Sequence, residues 1–367
     1  MKSLYELARR AHRNIKPYVP GKPEEQLYRE LGLTKVVKLA SNENPLGASP
    51  KAIRALRQSV HKINRYPEGS AYYLKQRLAK ELNVQMETLI IGNGSSEVIS
   101  LTLQSFADAG DEVIFAHPSF IIYKILAYTV GAVPIEVPLE RDFSYNLDAY
   151  LKHIGPKTKV IILCNPNNPT GSHIRQQALD WFMEQVPEDV IVISDEAYRE
   201  YVEDTEFGSA FPWIERKRVV VVRTFSKIYG LASLRVGYGI ANREFIAALE
   251  RIRPPFNTTG ISQDAATAAI DDRSFVEKSQ KNNAAGKIYL RKELTRLGWT
   301  VYPSEANFLF CAVGRNSVAL VKNLEKRGII IREMSSFGLP PEYVRITIGK
   351  PSENRLLVKN LREILQS

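Results

Sequence analysis

Five short runs in which every residue is apolar constrain this chain more than any other feature: Leu89-Ile90-Ile91, Val113-Ile114-Phe115, Val160-Ile161-Ile162-Leu163, Val190-Ile191-Val192-Ile193 and Val219-Val220-Val221-Val222. A strand with one wet face alternates apolar and polar residues. A run apolar throughout is buried on both faces, as in a parallel sheet covered by helices. From about residue 50 onward helix-like segments, among them Lys51 to Ile63 and Tyr72 to Asn83, accompany these runs. The alternation predicts an α/β fold with a three-layer, mostly parallel sheet. Each run ends in a polar or Gly-rich turn: Gly92 to Ser96, His117-Pro118-Ser119, Asn165 to Pro169, Ser194-Asp195-Glu196 and Thr224 to Lys227. Five loops therefore converge on one sheet edge, where open α/β proteins bind ligands.

After about Asp271 the pattern changes. A long charged helical stretch is followed by the segment Thr300 to Val313, a helix over Ser317 to Lys326, strands near Ile329 and over Tyr343 to Ile348, and a final helix. This predicts a smaller C-terminal α+β domain over 271–367, a large domain over 46–270, and a segment 1–45 that packs on the small domain and a partner subunit. A chain of 367 residues with 44% hydrophobic and 25% charged residues is ordinary for a globular protein of this size. It contains no run of about eighteen apolar residues and no signal-peptide core after Met1-Lys2-Ser3, so a soluble, cytoplasmic protein with no membrane partner is expected. Cys164 and Cys311 sit in or beside apolar runs, without CxxC spacing or a histidine cluster; buried free thiols are expected, and no metal site. The net charge of +10 is spread among 40 acidic residues with no basic tract or zinc spacing. An anionic small substrate and an anionic cofactor explain it as well, and no nucleic-acid partner is expected.

Lys227 follows the Val219–Val222 run in Thr224-Phe225-Ser226-Lys227-Ile228-Tyr229-Gly230. A lysine in a partly desolvated, cation-lined pocket has a lowered pKa and can attack a carbonyl carbon near pH 7. If Lys227 carries an aldehyde cofactor, the other loops supply what pyridoxal 5'-phosphate needs. Asp195, at the end of a buried run, is a costly carboxylate unless it faces a cation such as a protonated pyridine nitrogen. Tyr198, three residues on, is expected on the same helical face, where its hydroxyl reaches the ring oxygen, and Asn168 can donate to that same oxygen. Gly94-Ser95-Ser96-Glu97 opens a helix whose N-terminus suits a phosphate. Thr224, Ser226 and Arg235 add hydroxyls and a guanidinium, and Phe120 offers a ring face for stacking.

These residues resemble the fold-type I pyridoxal-phosphate aminotransferases of class I/II over nearly the whole chain. The motifs are Asn165-Pro166-x-Asn168-Pro169-Thr170-Gly171, Asp195-Glu196-Ala197-Tyr198, Ser226-Lys227 with Arg235 eight residues on, and Val344-Arg345-Ile346. They look like the ring-oxygen loop, the pyridine partner, the cofactor lysine with its phosphate arginine, and the arginine that grips a substrate carboxylate. Within that family, Lys16 to Lys22, Lys38 to Pro45 and Arg65-Tyr66-Pro67 resemble the subgroup that acts on histidinol phosphate. Ser96, Ile228, Ser233 and the Ser335-Ser336-Phe337-Gly338 stretch depart from its commonest forms.

The resemblance implies a homodimer with shared active sites, Tyr66 reaching the cofactor phosphate of the neighbouring subunit. It implies transamination of L-histidinol phosphate with 2-oxoglutarate, giving imidazole acetol phosphate and glutamate in histidine biosynthesis, with Lys227 as the base at Cα. Aromatic amino-acid transaminases and threonine-phosphate decarboxylases share the same core. One site must take both a phosphate and a carboxylate, which a guanidinium fork can do. That role falls to Arg345 with Arg332 as helper, and Tyr18 and Asn44 are expected substrate contacts. A regulator built on this fold would need a DNA-binding segment, and the roughly 40 residues ahead of Asn42 are too few for a winged helix and linker.

Overall fold

The computed structural model describes residues 4–15, 17, 21–33 and 35–366. Its strands, in chain order, are β1 (Val37–Leu39), β2 (Leu89–Asn93), β3 (Glu112–His117), β4 (Val133–Pro138), β5 (Thr158–Cys164), β6 (Ile191–Asp195), β7 (Val219–Thr224), β8 (Val236–Ile240), β9 (Thr300–Val301), β10 (Phe308–Ala312), β11 (Ile329–Glu333) and β12 (Tyr343–Thr347). Seven of them form one sheet in the order β2-β8-β7-β6-β5-β3-β4. Only β8 runs against its neighbours in it.

The apolar runs are the middle of this sheet, and their burial explains their composition. In β7, Val219 and Val221 enter the core on one face with Leu179 and Phe182, while Val220 and Val222 enter the opposite core with Ile99 and Phe245. All four valines are fully buried, each contributing about 1.5–3 kcal/mol of burial. β5 divides in the same way: Ile161 and Leu163 on one side, Val160 and Ile162 on the other.

The second sheet has the order β1-β11-β12-β10-β9. Its core joins Leu290 and Leu294 of the helix Arg273–Arg296 to Leu357, Val358 and Leu361 of the helix Pro351–Gln366. β1 lies parallel to β11, Val37 opposite Ile329, so residues far ahead of the large sheet complete the small one.

Three strands depart from the sequence reading. β4 is a partly exposed edge strand carrying Pro134 and Pro138, and edge strands tolerate proline. β1 has only three residues. β8 reads Val-Gly-Tyr-Gly-Ile, which looks like a turn. A Cβ at Gly239 would stand 2.7 Å from a Val98 methyl, and one at Gly237 2.3 Å from the Ser95 nitrogen. The glycines are there because the helix Ser95–Phe106 lies directly on β8.

Candidate active site

The carboxyl ends of the parallel strands and the start of the reversed β8 meet the small sheet in a cleft. It encloses about 950 Å³ of non-protein space out to its mouth, open solvent included. Lys227 reaches it from the turn after β7. Phe225 is fully buried beneath that turn, and Thr224 Oγ1 accepts from the Ser226 nitrogen at 3.0 Å. The Lys227 ammonium lies 5.6 Å from the centre of the Tyr198 ring. Burial first, and the Arg345 guanidinium next, bring its pKa down to about 8, because both disfavour the charged form.

Asp195, the last residue of β6, is only 3% exposed. Its Oδ2 accepts from the Tyr123 hydroxyl at 2.8 Å and its Oδ1 from the Ala197 nitrogen at 3.1 Å. Even so, burial pushes its pKa up to about 6. Beneath it, Glu196 and Arg223 form a fully buried pair, with Arg223 Nε at 3.1 Å and Nη2 at 2.8 Å from Glu196 Oε2. The other Glu196 oxygen accepts from Ser209 Oγ and the Ala210 nitrogen.

At the far end, Ser95 and Ser96 head the twelve-residue helix Ser95–Phe106. Arg235, just before β8, donates to Ser226 Oγ at 3.3 Å. A Cβ on Gly94 would lie 2.5 Å from Arg235 Nη2, so the glycine admits the guanidinium to the helix N-terminus. Opposite them, the small sheet presents Arg345 on β12 and Arg332 on β11, directly across from each other in the strand pairing. Arg345 Nη1 donates to Asn168 Oδ1, and its Nη2 to the Ala40 carbonyl at 2.8 Å. Arg332 Nη2 donates to Ser336 Oγ at 3.1 Å.

Residues 34–361 match the model of the family described as aminotransferase class I and II. The chain belongs to this family. The aminotransferase is 45% identical over 359 residues to the histidinol-phosphate aminotransferase of Moorella thermoacetica, covering 97% of this chain and 92% of that one. To the protein of the same name in Caldicellulosiruptor saccharolyticus it is 42% identical over 354 residues, 96% of this chain and 98% of the relative. The crystal structure of histidinol-phosphate aminotransferase from Sinorhizobium meliloti in complex with pyridoxal-5'-phosphate superposes with a TM-score of 0.89 at 26% identity, covering 97% of both chains.

The donor set of the aminotransferase cleft fits pyridoxal 5'-phosphate. A lysine of lowered pKa suits an aldehyde, a buried carboxyl bonded to no cation among the described residues suits a ring N–H⁺, and the Gly94 recess between a helix N-terminus and a guanidinium suits a phosphate. Of the residues expected here, Ser95, Ser96, Phe120, Asn168, Asp195, Tyr198, Thr224, Ser226, Lys227, Arg235, Arg332 and Arg345 all line the cleft. Tyr198 arrives differently from the expectation. It lies in a turn ahead of the short 3-10 helix Arg199–Tyr201, not on a shared helical face with Asp195.

Asn44 is not among the lining residues. Its amide donates to the Ile228 carbonyl at 2.8 Å and Ser279 Oγ at 2.9 Å, and its Oδ1 accepts from the Leu46 nitrogen, so it braces the lysine turn. Asn42 lines the cleft instead and donates to the Tyr198 hydroxyl at 2.9 Å. Tyr66 lies outside the cleft, 83% exposed and stacked on Phe256. Tyr18 falls outside the described residues. Sequence reasoning missed Tyr123, which stands in the first turn of the helix Ile122–Val130, three residues after Phe120, and packs edge-on against its ring. It also missed the Glu196–Arg223 pair, which nothing local in the sequence joins.

Proposed function

We propose that this aminotransferase moves the amino group of L-histidinol phosphate to 2-oxoglutarate, giving imidazole acetol phosphate and glutamate, with pyridoxal 5'-phosphate held at Lys227. The observation that carries the substrate reading is the Arg332–Arg345 pair. Like charges placed directly opposite on neighbouring strands repel, and here both line one cleft. An anion between them removes that cost, and a guanidinium takes a phosphate or a carboxylate with the same fork. The relatives named for histidinol phosphate support the same choice.

Bound in this cleft, the cofactor supplies an aldehyde to take up amines and a cationic ring to accept the electron pair released at Cα. The chain's own groups do the rest. With a pKa of about 8, about a tenth of free Lys227 is neutral at pH 7, and that amine would serve as the base that takes and gives back the Cα proton. Asp195 would keep the ring nitrogen protonated, and Tyr123, donating to its Oδ2, fixes that carboxylate. Because Asn168 Oδ1 already accepts from Arg345, its amide hydrogens remain for the ring oxygen, beside the Tyr198 hydroxyl. Phe120 would cover one ring face, while Ser95, Ser96, Thr224, Ser226 and Arg235 would hold the phosphate.

Tyr66 points to the same reading at the level of assembly. Exposed here, it reaches the phosphate of a second copy in a homodimer. The cytoplasm is the compartment implied, where free thiols such as Cys164 and Cys311 stay reduced.

Purified protein supplied with pyridoxal phosphate and 2-oxoglutarate is expected to form glutamate from histidinol phosphate far faster than from phenylalanine. Borohydride should fix the cofactor to Lys227, and Lys227→Ala should lose both the adduct and at least about a hundred-fold in rate. Preference for phenylalanine, or carbon dioxide released from threonine phosphate, would overturn the proposal.

A further inference from the structure

Beside the cleft lies a smaller recess where the two sheets meet, bounded by His117, Ser119, Lys124, Glu136, Ser336 and Gly338. Phe120 and Phe337 line both spaces. From the large sheet, His117 ends β3, and its Nδ1 lies 3.0 Å from Glu136 Oε1 on the adjacent β4. Lys124 donates to the other Glu136 oxygen. The bond from His117, with Lys124 behind it, holds the Glu136 carboxyl down to about 2, so it remains an acceptor at any working pH. The imidazole is therefore tethered on its Nδ1 side.

From the small sheet, the 3-10 turn Ser335–Phe337 follows β11 and closes at Gly338, whose φ is +79°. A Cβ on Gly338 would lie 2.8 Å from Cε1 and 3.3 Å from Nε2 of His117. The first distance is closer than a methyl tolerates, and swinging the ring away costs its bond to Glu136. The turn that rests on this ring also carries one contact of each substrate-side arginine: Ser336 Oγ accepts from Arg332, and the Arg345 guanidinium stands 5.9 Å from the Phe337 ring centre.

We infer that His117 and Gly338 form a seat between the two sheets that sets how deeply Ser336 and Phe337 enter the cleft, and through them where the Arg332–Arg345 pair meets the substrate anion. Both are positioning residues, since neither lines the cleft itself. The inference rests on the reading of the arginine pair as the anion site. The absent methyl at 338 and the tether at 117 act on opposite sides of one contact, so one change can be offset by another.

The test compares Gly338→Ala, His117→Ala and the double variant as holoenzymes. It reads KM for histidinol phosphate and 2-oxoglutarate, competitive inhibition by inorganic phosphate, and the absorbance of the lysine-bound cofactor. Gly338→Ala should raise both KM values and the phosphate inhibition constant about ten-fold or more, with kcat within about three-fold, as for a misplaced binding group. The cofactor absorbance should not change. Adding His117→Ala should restore the constants to those of His117→Ala alone. Wild-type constants in Gly338→Ala overturn the seat. So does a double variant no better than Gly338→Ala, which would leave only the strain of a left-handed alanine. Should Gly338→Ala fail to fold, His117→Trp crowds the same contact with the glycine intact, and an unchanged phosphate constant there overturns it equally. If the wild-type enzyme ignores histidinol phosphate, the proposed substrate fails, while the 2-oxoglutarate and phosphate constants still judge the seat.

Discussion

Asp195 shows at the scale of one residue how function and folding pull apart. Burial raises its pKa from 3.8 to about 6. Between those values the folded chain keeps a proton that the unfolded chain has lost, so the residue's contribution to stability is full below pH 3.8 and is lost as pH rises through about 6. At pH 7 the cofactor-free protein therefore carries a destabilising charge. Asp195→Asn should raise its unfolding free energy at pH 7 by about 1–3 kcal/mol, with the gain gone below pH 4, while activity falls by at least about a hundred-fold for want of a ring partner. Denaturant melts of the cofactor-free protein at pH 4 and pH 7 check this, and an equal effect at both would contradict the charge argument. Asp195 was legible because a carboxylate closing an all-apolar run needs a reason. Asn44 is the opposite case, placed outside the cleft lining. It stands two residues from Asn42 in Ser41-Asn42-Glu43-Asn44-Pro45, and composition cannot say which amide turns inward. The backbone decides, because Asn42 has a φ of +55° and holds Thr347 and Asn307 by its main chain.

Among the elements, the five all-apolar strands were readable because burial on both faces leaves no polar position. β8 was not, because its glycines answer to the helix packed on it rather than to strand propensity. That reversal matters to the site, since a strand running against its neighbours begins at the edge where they end, which is how Arg235 arrives opposite Ser95. Gly94→Ala puts a methyl on the Arg235 guanidinium and requires alanine at a φ of +73°. Spectral titration with pyridoxal phosphate should show affinity reduced about ten-fold or more, the loss of one charged hydrogen bond, and circular dichroism should show the fold retained. Unchanged affinity would remove Arg235 from the phosphate site. The buried Glu196–Arg223 pair was invisible in sequence because its partners lie 27 residues apart, Glu196 just past the end of β6 and Arg223 on β7. Arg223→Met leaves the Glu196 carboxylate without its buried cation and should cost about 3–5 kcal/mol in urea unfolding. A loss below 1 kcal/mol would mean that Ser209, Ala210 and Arg199 suffice to hold Glu196.

For the whole molecule, the question is what covers the face beside the phosphate end of the cleft. Val60, Ile63, Tyr66, Tyr73 and Phe256 are all exposed. Tyr66 stacks on Phe256 at 4.7 Å. The next residue, Asn257, donates to Glu97 Oε2 at 2.6 Å, two residues from Ser95. The apolar face thus runs up to the helix N-terminus where the cofactor phosphate is expected, and Arg235 is itself exposed there. In the proposed homodimer a second copy laid on this face would cover both and bring its Tyr66 hydroxyl to the phosphate end of the cleft. Sedimentation of the wild-type protein should report a dimer at micromolar concentration. Ile63→Asp with Phe256→Asp should shift it toward monomer and weaken cofactor binding together. Tyr66→Phe should leave the dimer intact yet weaken the cofactor about ten-fold, the loss of about 1.5 kcal/mol expected for a hydrogen bond to a charged group. A fully active wild-type monomer would contradict the shared site, and a Tyr66→Phe variant with undiminished affinity would confine Tyr66 to packing.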